Sequence, residues 1–223
     1  KDMNWYIRRG GNNRDLGIEL LTTWSHLLSV STPHLAEEWW RLLGNDSLIS
    51  NSEFAAQSKL TTRESSILDD EFVMRNILEN ARKVKTIAER HLDGPAQKLI
   101  LTICPDWKRE LAIMAIKFVE DGGNVKSFMN HLKNSDLAKR ENSGEIFAFW
   151  GKKMLPQIFK WDDKSKQLIT GELNELELLS KRKEFIKAEL GLNEIIVITS
   201  EKNEADSDKT KSSLPLSPSI IYA

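Results

Sequence analysis

Residues 27–44 read LLSVSTPHLAEEWWRLLG, and this stretch decides how the first part of the chain folds. Leu27 and Leu28 close one apolar helix, Ser29 to Thr32 break it, and Pro33 opens a second helix that Gly44 ends. Proline suits the first helical position because its missing N–H would have no intrahelical partner there, which makes Thr32 the N-cap. Gly44 supplies the left-handed residue that a helix C-terminus favours. Leu35, Ala36, Trp39, Leu42 and Leu43 recur at three- and four-residue spacing and form one apolar face. Neighbouring helical positions point about 100° apart, so Trp39 is expected in the core and Trp40 at most half exposed. His34 and Glu38 are expected to cap or brace the helix start, where the helix dipole favours acidic groups. The element reads as a tight helical elbow.

Upstream, Trp5–Arg9 runs into the turn-rich Gly10-Gly11-Asn12-Asn13. Leu16, Leu20, Leu21, Trp24, Leu27 and Leu28 then share one helical stripe, so two helices stack across a short turn. Downstream, residues 48–62 are polar with isolated Leu48, Ile49, Phe54 and Leu60, and read as a loop or joint. Asp70 to about Leu92 is a long helix whose inner face carries Phe72, Val73, Ile77, Leu78, Ala81, Val84, Ile87 and Ala88. Asp93-Gly94-Pro95 stops it.

The period then changes. Leu99–Cys104 is short, apolar and β-branched, which predicts a buried strand. Pro105-Asp106 turns into a helix carrying Leu111, Ile113, Met114, Ile116 and Phe118, ended by Gly122-Gly123. Helical periods return through Val125–Leu132 and Gly144–Leu155, and Leu173–Leu190 is a charged amphipathic helix closed by Gly191. Glu194–Thr199 reads as a second strand, 200–213 as a polar loop, and Leu214–Ala223 as a final extended strand with prolines at its entry. The last two strands are expected to form a hairpin. The predicted architecture is mainly α: a helical bundle over residues 1–66, followed by a small α/β domain with a short sheet over 67–223.

The chain has 223 residues, with 32 Lys and Arg against 33 Asp and Glu, so a nucleic-acid partner would have to be met by a local patch. The single cysteine, Cys104, gives no disulfide framework and no thiolate metal site, which fits a reducing cytosol. No apolar run approaches the roughly 18 to 20 residues that span a bilayer, and no membrane partner is expected. Lys1 stands where an initiator methionine would, so the piece is expected to begin inside a longer polypeptide. His34 and Glu37 have the i, i+3 spacing of some metal ligands, but His26, His91 and His131 supply no matching second pair, and no metal is assigned. Cys104, ending an apolar strand, reads as a buried structural thiol.

The motif Ser31-Thr32-Pro33-His34-Leu35-Ala36-Glu37-Glu38-Trp39, following an apolar helix, resembles the anticodon-binding bundle of class I aminoacyl-tRNA synthetases of the leucyl, isoleucyl, valyl and methionyl group. The second half is similar to the C-terminal domain of archaeal and eukaryotic cytosolic-type leucyl-tRNA synthetases. The matching pieces are Glu71–Leu78, a strand followed by Trp107-Lys108, Phe128-Met129, Leu137–Lys139, Leu178–Phe185 before Ala188–Gly191, and Leu214-Pro215 with Pro218-Ser219-Ile220. That family's closing peptide usually reads A-x-P-x-K-P-A-I, whereas this chain has Ser213, Ser217 and Ser219, with the loss of one positive charge.

The resemblance implies the tRNA-binding portion of a leucine–tRNA ligase, with tRNA(Leu) as partner through its long variable arm and corner. It implies ATP and magnesium for the full-length enzyme, upstream catalytic and editing domains, and a cytoplasmic setting. The family's H-I-G-H and K-M-S-K-S signatures do not occur in these residues, so no cofactor and no catalytic residue are assigned to them. Structured RNA is held through phosphates and 2′-hydroxyls, with unstacked bases taken on aromatics. The candidate contacts are Arg8 and Arg9, Trp107 with Lys108 and Arg109, and Lys152 and Lys153 after Trp150. Each pair also reads as solvated basic residues beside a core tryptophan. The alternative functions are a free-standing adaptor binding RNA or protein, and the same region of an isoleucyl, valyl or methionyl enzyme.

Overall fold

The computed structural model describes residues 2–54, 61–92, 94–200 and 212–223. The readings made above on Lys1, Leu60, Asp93 and the polar stretch 201–211 lie outside them. The chain separates into two compact units, Lys1–Thr61 and Thr62–Ala223.

The first unit holds α1 (Asp2–Arg8), α2 (Arg14–Ser29) and α3 (Pro33–Leu42), then a 3-10 turn at Ile49–Asn51. Asn13 caps α2, its side-chain oxygen accepting from the N–H of Asp15 at 3.0 Å and of Leu16 at 3.2 Å. Helix α3 starts at Pro33 and its chain reverses at Gly44, whose φ is +89°. Thr32 sits at the N-cap position but its hydroxyl donates backwards to the Leu28 carbonyl at 3.3 Å and caps no N–H of α3. His34 and Glu38 make no capping hydrogen bond either, and both are exposed. The neighbouring Glu37 does the bracing: its Oε1 accepts from the Ile49 N–H at 3.0 Å and ties the 3-10 turn to α3.

The expectation for Trp39 is corrected, because Trp39 is only half-buried and it is Trp40, expected at most half exposed, that is buried. The inward face of α3 is set by Ala36 and Trp40, four residues apart, which close a small core with Ile49 and Leu28. The His26 imidazole stands edge-on to Trp40 at 5.1 Å and to Phe54 at 5.3 Å, which fixes the indole from the α2 side. Leu16, Trp24 and Leu27 of the α2 stripe stay 45, 41 and 58% exposed, so within this unit that face is only partly covered.

The second unit opens with α4 (Thr62–Ala88), eight residues ahead of the expected start at Asp70. Val73, Met74, Ile77, Leu78 and Ala81 are its buried stripe. Strand β1 (Lys98–Ile103) follows, then α5 (Asp106–Glu120), α6 (Val125–Lys133), a 3-10 turn at Asp136–Lys139 and α7 (Ser143–Phe149). A π-helical turn (Trp150–Met154) runs into α8 (Leu155–Ile158). Next come α9 (Asp163–Thr170), which no sequence pattern announced, α10 (Glu175–Leu190), β2 (Glu194–Thr199) and β3 (Ser219–Tyr222). Gly191 ends α10 at φ +61°, the left-handed position where a Cβ would be strained.

The sheet order is β2-β1-β3. This corrects the expected hairpin: β2 and β3 do not pair with each other, and both pair with β1. Strand β2 runs parallel to β1, with Lys98 opposite Glu194, and β3 runs antiparallel, with Leu99 opposite Tyr222. The final strand is also shorter than expected, because Leu214–Ser217 forms a tight turn of its own before β3. The physical reason lies in burial. Leu99 and Leu101 are fully buried, and an apolar strand of this kind belongs between two others, whereas every residue of β2 keeps some exposure, as suits an edge.

Trp107, Leu111, Ala115, Phe128, Leu132, Ile146, Trp150, Met154, Ile158 and Ile169 belong to one core cluster that unites α5 to α9. On the α4 side the Tyr222 hydroxyl donates to the Ala81 carbonyl at 2.9 Å. In urea denaturation, Tyr222→Phe should cost about 1 kcal/mol for that hydrogen bond. Leu101→Ala, which empties the centre of β1, should cost about 2–5 kcal/mol.

Candidate nucleic-acid interface

The seven candidate contact residues separate into two kinds. Arg8 ends α1 and is exposed, its guanidinium 5.7 Å from the Trp5 ring, and Arg9 beside it is half-buried. Lys152 and Lys153 are exposed on the π turn, while Trp150 and Met154 on either side face the core. These four side chains reach the surface of their units.

Trp107 and Lys108 are buried, which corrects their expected place on an RNA-facing surface, while Arg109 is half-buried and engaged with main-chain carbonyls. They begin α5, directly after β1, where the turn of Pro105-Asp106 aims the first helical residues at the core. Trp107 packs edge-on against Phe149 at 5.3 Å. Lys108 is 2% exposed; its ammonium donates to the Ser213 carbonyl at 3.0 Å and lies 4.5 Å from the centre of the Phe149 ring. Burial pushes its pKa down to about 8, with Cys104 and Glu145 pulling it back up. Arg109 directs its guanidinium at the end of α9, donating to the carbonyls of Ile169 at 3.2 Å, Gly171 at 2.8 Å and Leu173. A cation suits a helix C-terminus, where carbonyls lack intrahelical donors.

Next to Arg109, the carboxyl ends of β1 and β2 open on a cavity of about 520 Å3 lined by Cys104, Asp106, Glu175 and Thr199 among others. Glu175 is buried there; its Oε1 accepts from the Leu216 N–H at 3.0 Å, and desolvation raises its pKa. This contact holds Leu216 at φ +60° in the turn before β3. Cys104 is buried, and loss of hydration pushes its thiol up to about 12, which makes it inert at neutral pH. Among the described residues, no group of three His, Cys, Asp or Glu side chains is arranged to hold a metal ion, and no helix is long and apolar enough to cross a membrane.

The sequence reading passed over Phe159 and Lys160, since it ended that helix at Leu155. The helical path continues to Ile158, and both residues lie exposed just beyond it. Alternation of buried Trp150, Met154 and Ile158 at four-residue steps was the available signal.

Residues 1–100 match the family model described as the anticodon-binding domain of tRNA ligase. By that match this stretch resembles an anticodon-binding domain of the tRNA-ligase class, in line with the resemblance carried by its helical elbow. The similarity narrows further to leucine–tRNA ligases and extends over nearly all the chain. The enzyme of Methanococcus vannielii is 32% identical over 98% of this chain and 20% of its own length. Those of Methanocaldococcus jannaschii and Pyrococcus horikoshii are 28% and 27% identical over 98% and 99% of the chain, each along 21% of their own length. The chain thus spans about a fifth of the length of the curated relatives it matches.

Arg109→Ala should lower unfolding stability by roughly 1.5–3 kcal/mol, because several carbonyls lose a charged donor, and should leave RNA affinity unchanged in the folded fraction. Equal stability of variant and parent, with weaker RNA binding, would return Arg109 to the interface. Lys108 gives a pH signature. Its proton is held less tightly folded, with a pKa near 8, than unfolded, where the ordinary value is 10.5. Below pH 8 both states are charged; from there to 10.5 the unfolded state binds more protons, so this residue's contribution to stability rises with pH. Cys104 acts oppositely above its ordinary value of 9.0. The comparison is therefore with Lys108→Met: the stability of the unaltered protein relative to that variant should increase between pH 8 and 10, as followed by urea denaturation at each pH.

Proposed function

We propose that this chain is the tRNA-holding part of a leucine–tRNA ligase, an enzyme that joins leucine to tRNA(Leu) with ATP and magnesium in the cytoplasm. The observation that carries it is the similarity to leucine–tRNA ligases along 98% of the chain, with residues 1–100 matching the anticodon-binding domain of tRNA ligase. No residue of this chain is assigned to ATP or magnesium. The H-I-G-H and K-M-S-K-S signatures are not among these residues, and the carboxylates and histidines described above form no cation site. Activation of leucine and editing belong to other parts of the ligase.

In this reading the 62–223 unit meets the long variable arm and corner of tRNA(Leu), and the 1–61 unit lies along the anticodon stem. Arg8, Arg9, Lys152 and Lys153 supply phosphate contacts, a role for which their position at the surface of each unit speaks. Trp107, Lys108 and Arg109 act from behind, by holding α5 against α9 and the C-terminal segment.

Binding of the 223-residue chain to tRNA(Leu) is to be compared with binding to the same tRNA carrying a trimmed variable arm. The intact arm should bind more tightly, and equal affinity would count against the variable-arm assignment. Each phosphate contact should contribute roughly 0.7–0.9 to the slope of log affinity against log salt. Lys152→Gln with Lys153→Gln should therefore flatten that slope by about 1.5. A slope unaffected by the pair would remove both lysines from the interface.

A further inference from the structure

The segment Phe149–Trp161 reads FWGKKMLPQIFKW and contains three lysines and no acidic residue, within a chain whose net charge is −1. Its aromatics do not share one environment. Phe149, Trp150 and Trp161 are 8, 2 and 9% exposed, whereas Phe159 is 69% exposed. Lys152, Lys153 and Lys160 are exposed as well, and among the described residues none of the three stands in an ion pair, unlike the neighbouring Lys164 and Lys166.

The local backbone explains why these four side chains stay on the outer face of this segment while its tryptophans do not. Trp150, Met154 and Ile158 mark the inward line; Lys152 and Lys153 lie exposed on the arc of the π turn, and Phe159 and Lys160 lie exposed just past the end of α8. The π turn strengthens the separation. The Leu155 N–H donates to the Trp150 carbonyl, five residues back, so an extra residue is accommodated and the Gly151–Lys153 arc is widened. Such turns recur at functional positions. At Gly151 a Cβ would meet nothing, so the backbone is open to close approach from outside.

We propose that this face is an RNA-binding platform on which Phe159 stacks an unpaired base while Lys152, Lys153 and Lys160 hold the adjoining phosphates. An exposed aromatic ring in a segment of exposed, acid-free lysines matches how single-stranded nucleic acid is taken: stacking on the ring and charge along the backbone. A protein partner fits less well, since lysine is depleted from protein interfaces. The inference rests on the tRNA-binding reading for which RNA is bound. It adds the base-stacking residue and a third cation.

The test uses the 223-residue chain with two labelled probes, a tRNA(Leu) and single-stranded oligoadenylate, followed by fluorescence anisotropy over a range of salt. Phe159→Ala should weaken binding of both about 5- to 30-fold with an unchanged salt slope, and Phe159→Trp should retain parental affinity. Exchange of the three lysines for Gln should flatten the slope instead. Thermal melting of Phe159→Ala checks its folding; should the variant unfold, Gly151→Glu, which sets an acid on the open face, must weaken both probes. Binding of Phe159→Ala within twofold of the parent for both probes overturns the platform. Oligoadenylate binding that depends on Phe159, with no binding of tRNA, overturns the tRNA reading and keeps the platform. Failure of the unaltered chain to bind either probe overturns both.

Discussion

The second unit depends on one strand being hydrogen-bonded along both of its edges. Strand β1 takes β2 on one side and β3 on the other, and its residues Leu99 and Leu101 are fully buried. The ladder extends past its ends: Gln97 accepts from the N–H groups of Asn193 and Glu194, and the Ala223 carbonyl accepts from Gln97 and Lys98. A six-residue apolar strand with unpaired edges would leave its backbone groups dry and unsatisfied. Its partners come from far along the chain, so the intervening helices must leave and return. The parallel pairing of β2 requires the crossover that α5 to α10 provide.

That constraint explains why the most suggestive basic residues are engaged by main-chain carbonyls. Helix α5 begins where β1 ends, so its first turn is buried under the C-terminal segment and beside α9. Lys108 then substitutes for a backbone donor toward Ser213, and Arg109 closes the carbonyl end of α9. A buried charge persists only with partners. Here the partners are a main-chain carbonyl and an aromatic face for Lys108, and a cluster of main-chain carbonyls for Arg109. The charge that looked like an RNA contact is spent on joining segments distant in sequence, with Glu175 doing the same for the turn at Leu216.

The surface of this unit carries the complementary pattern. One of its cores takes Phe149, Trp150, Met154, Ile158 and Trp161 from a single short segment, and what that segment leaves exposed includes Lys152, Lys153, Phe159 and Lys160. A protein with nearly balanced charge can offer a polyanion only a local field. A short acid-free path supplies one without altering the overall balance.

The sequence by itself determined the elements whose signals are local. The elbow of Pro33 and Gly44, the buried strand before Pro105, the helix closed by Gly191 and the helical bundle followed by a small sheet were all legible, because caps, breakers and hydrophobic period act over a few residues. The likeness of the Pro33–Trp39 motif to tRNA ligases was legible for the same reason. Only tertiary structure decided the rest. Trp40 and not Trp39 turned inward because Ile49 and His26 close that side. Strands β2 and β3 parted because both were needed by β1. Trp107 and Lys108 faced the interior and Phe159 the solvent because burial is decided by what packs from elsewhere in the chain, which a residue's own neighbours in sequence do not specify.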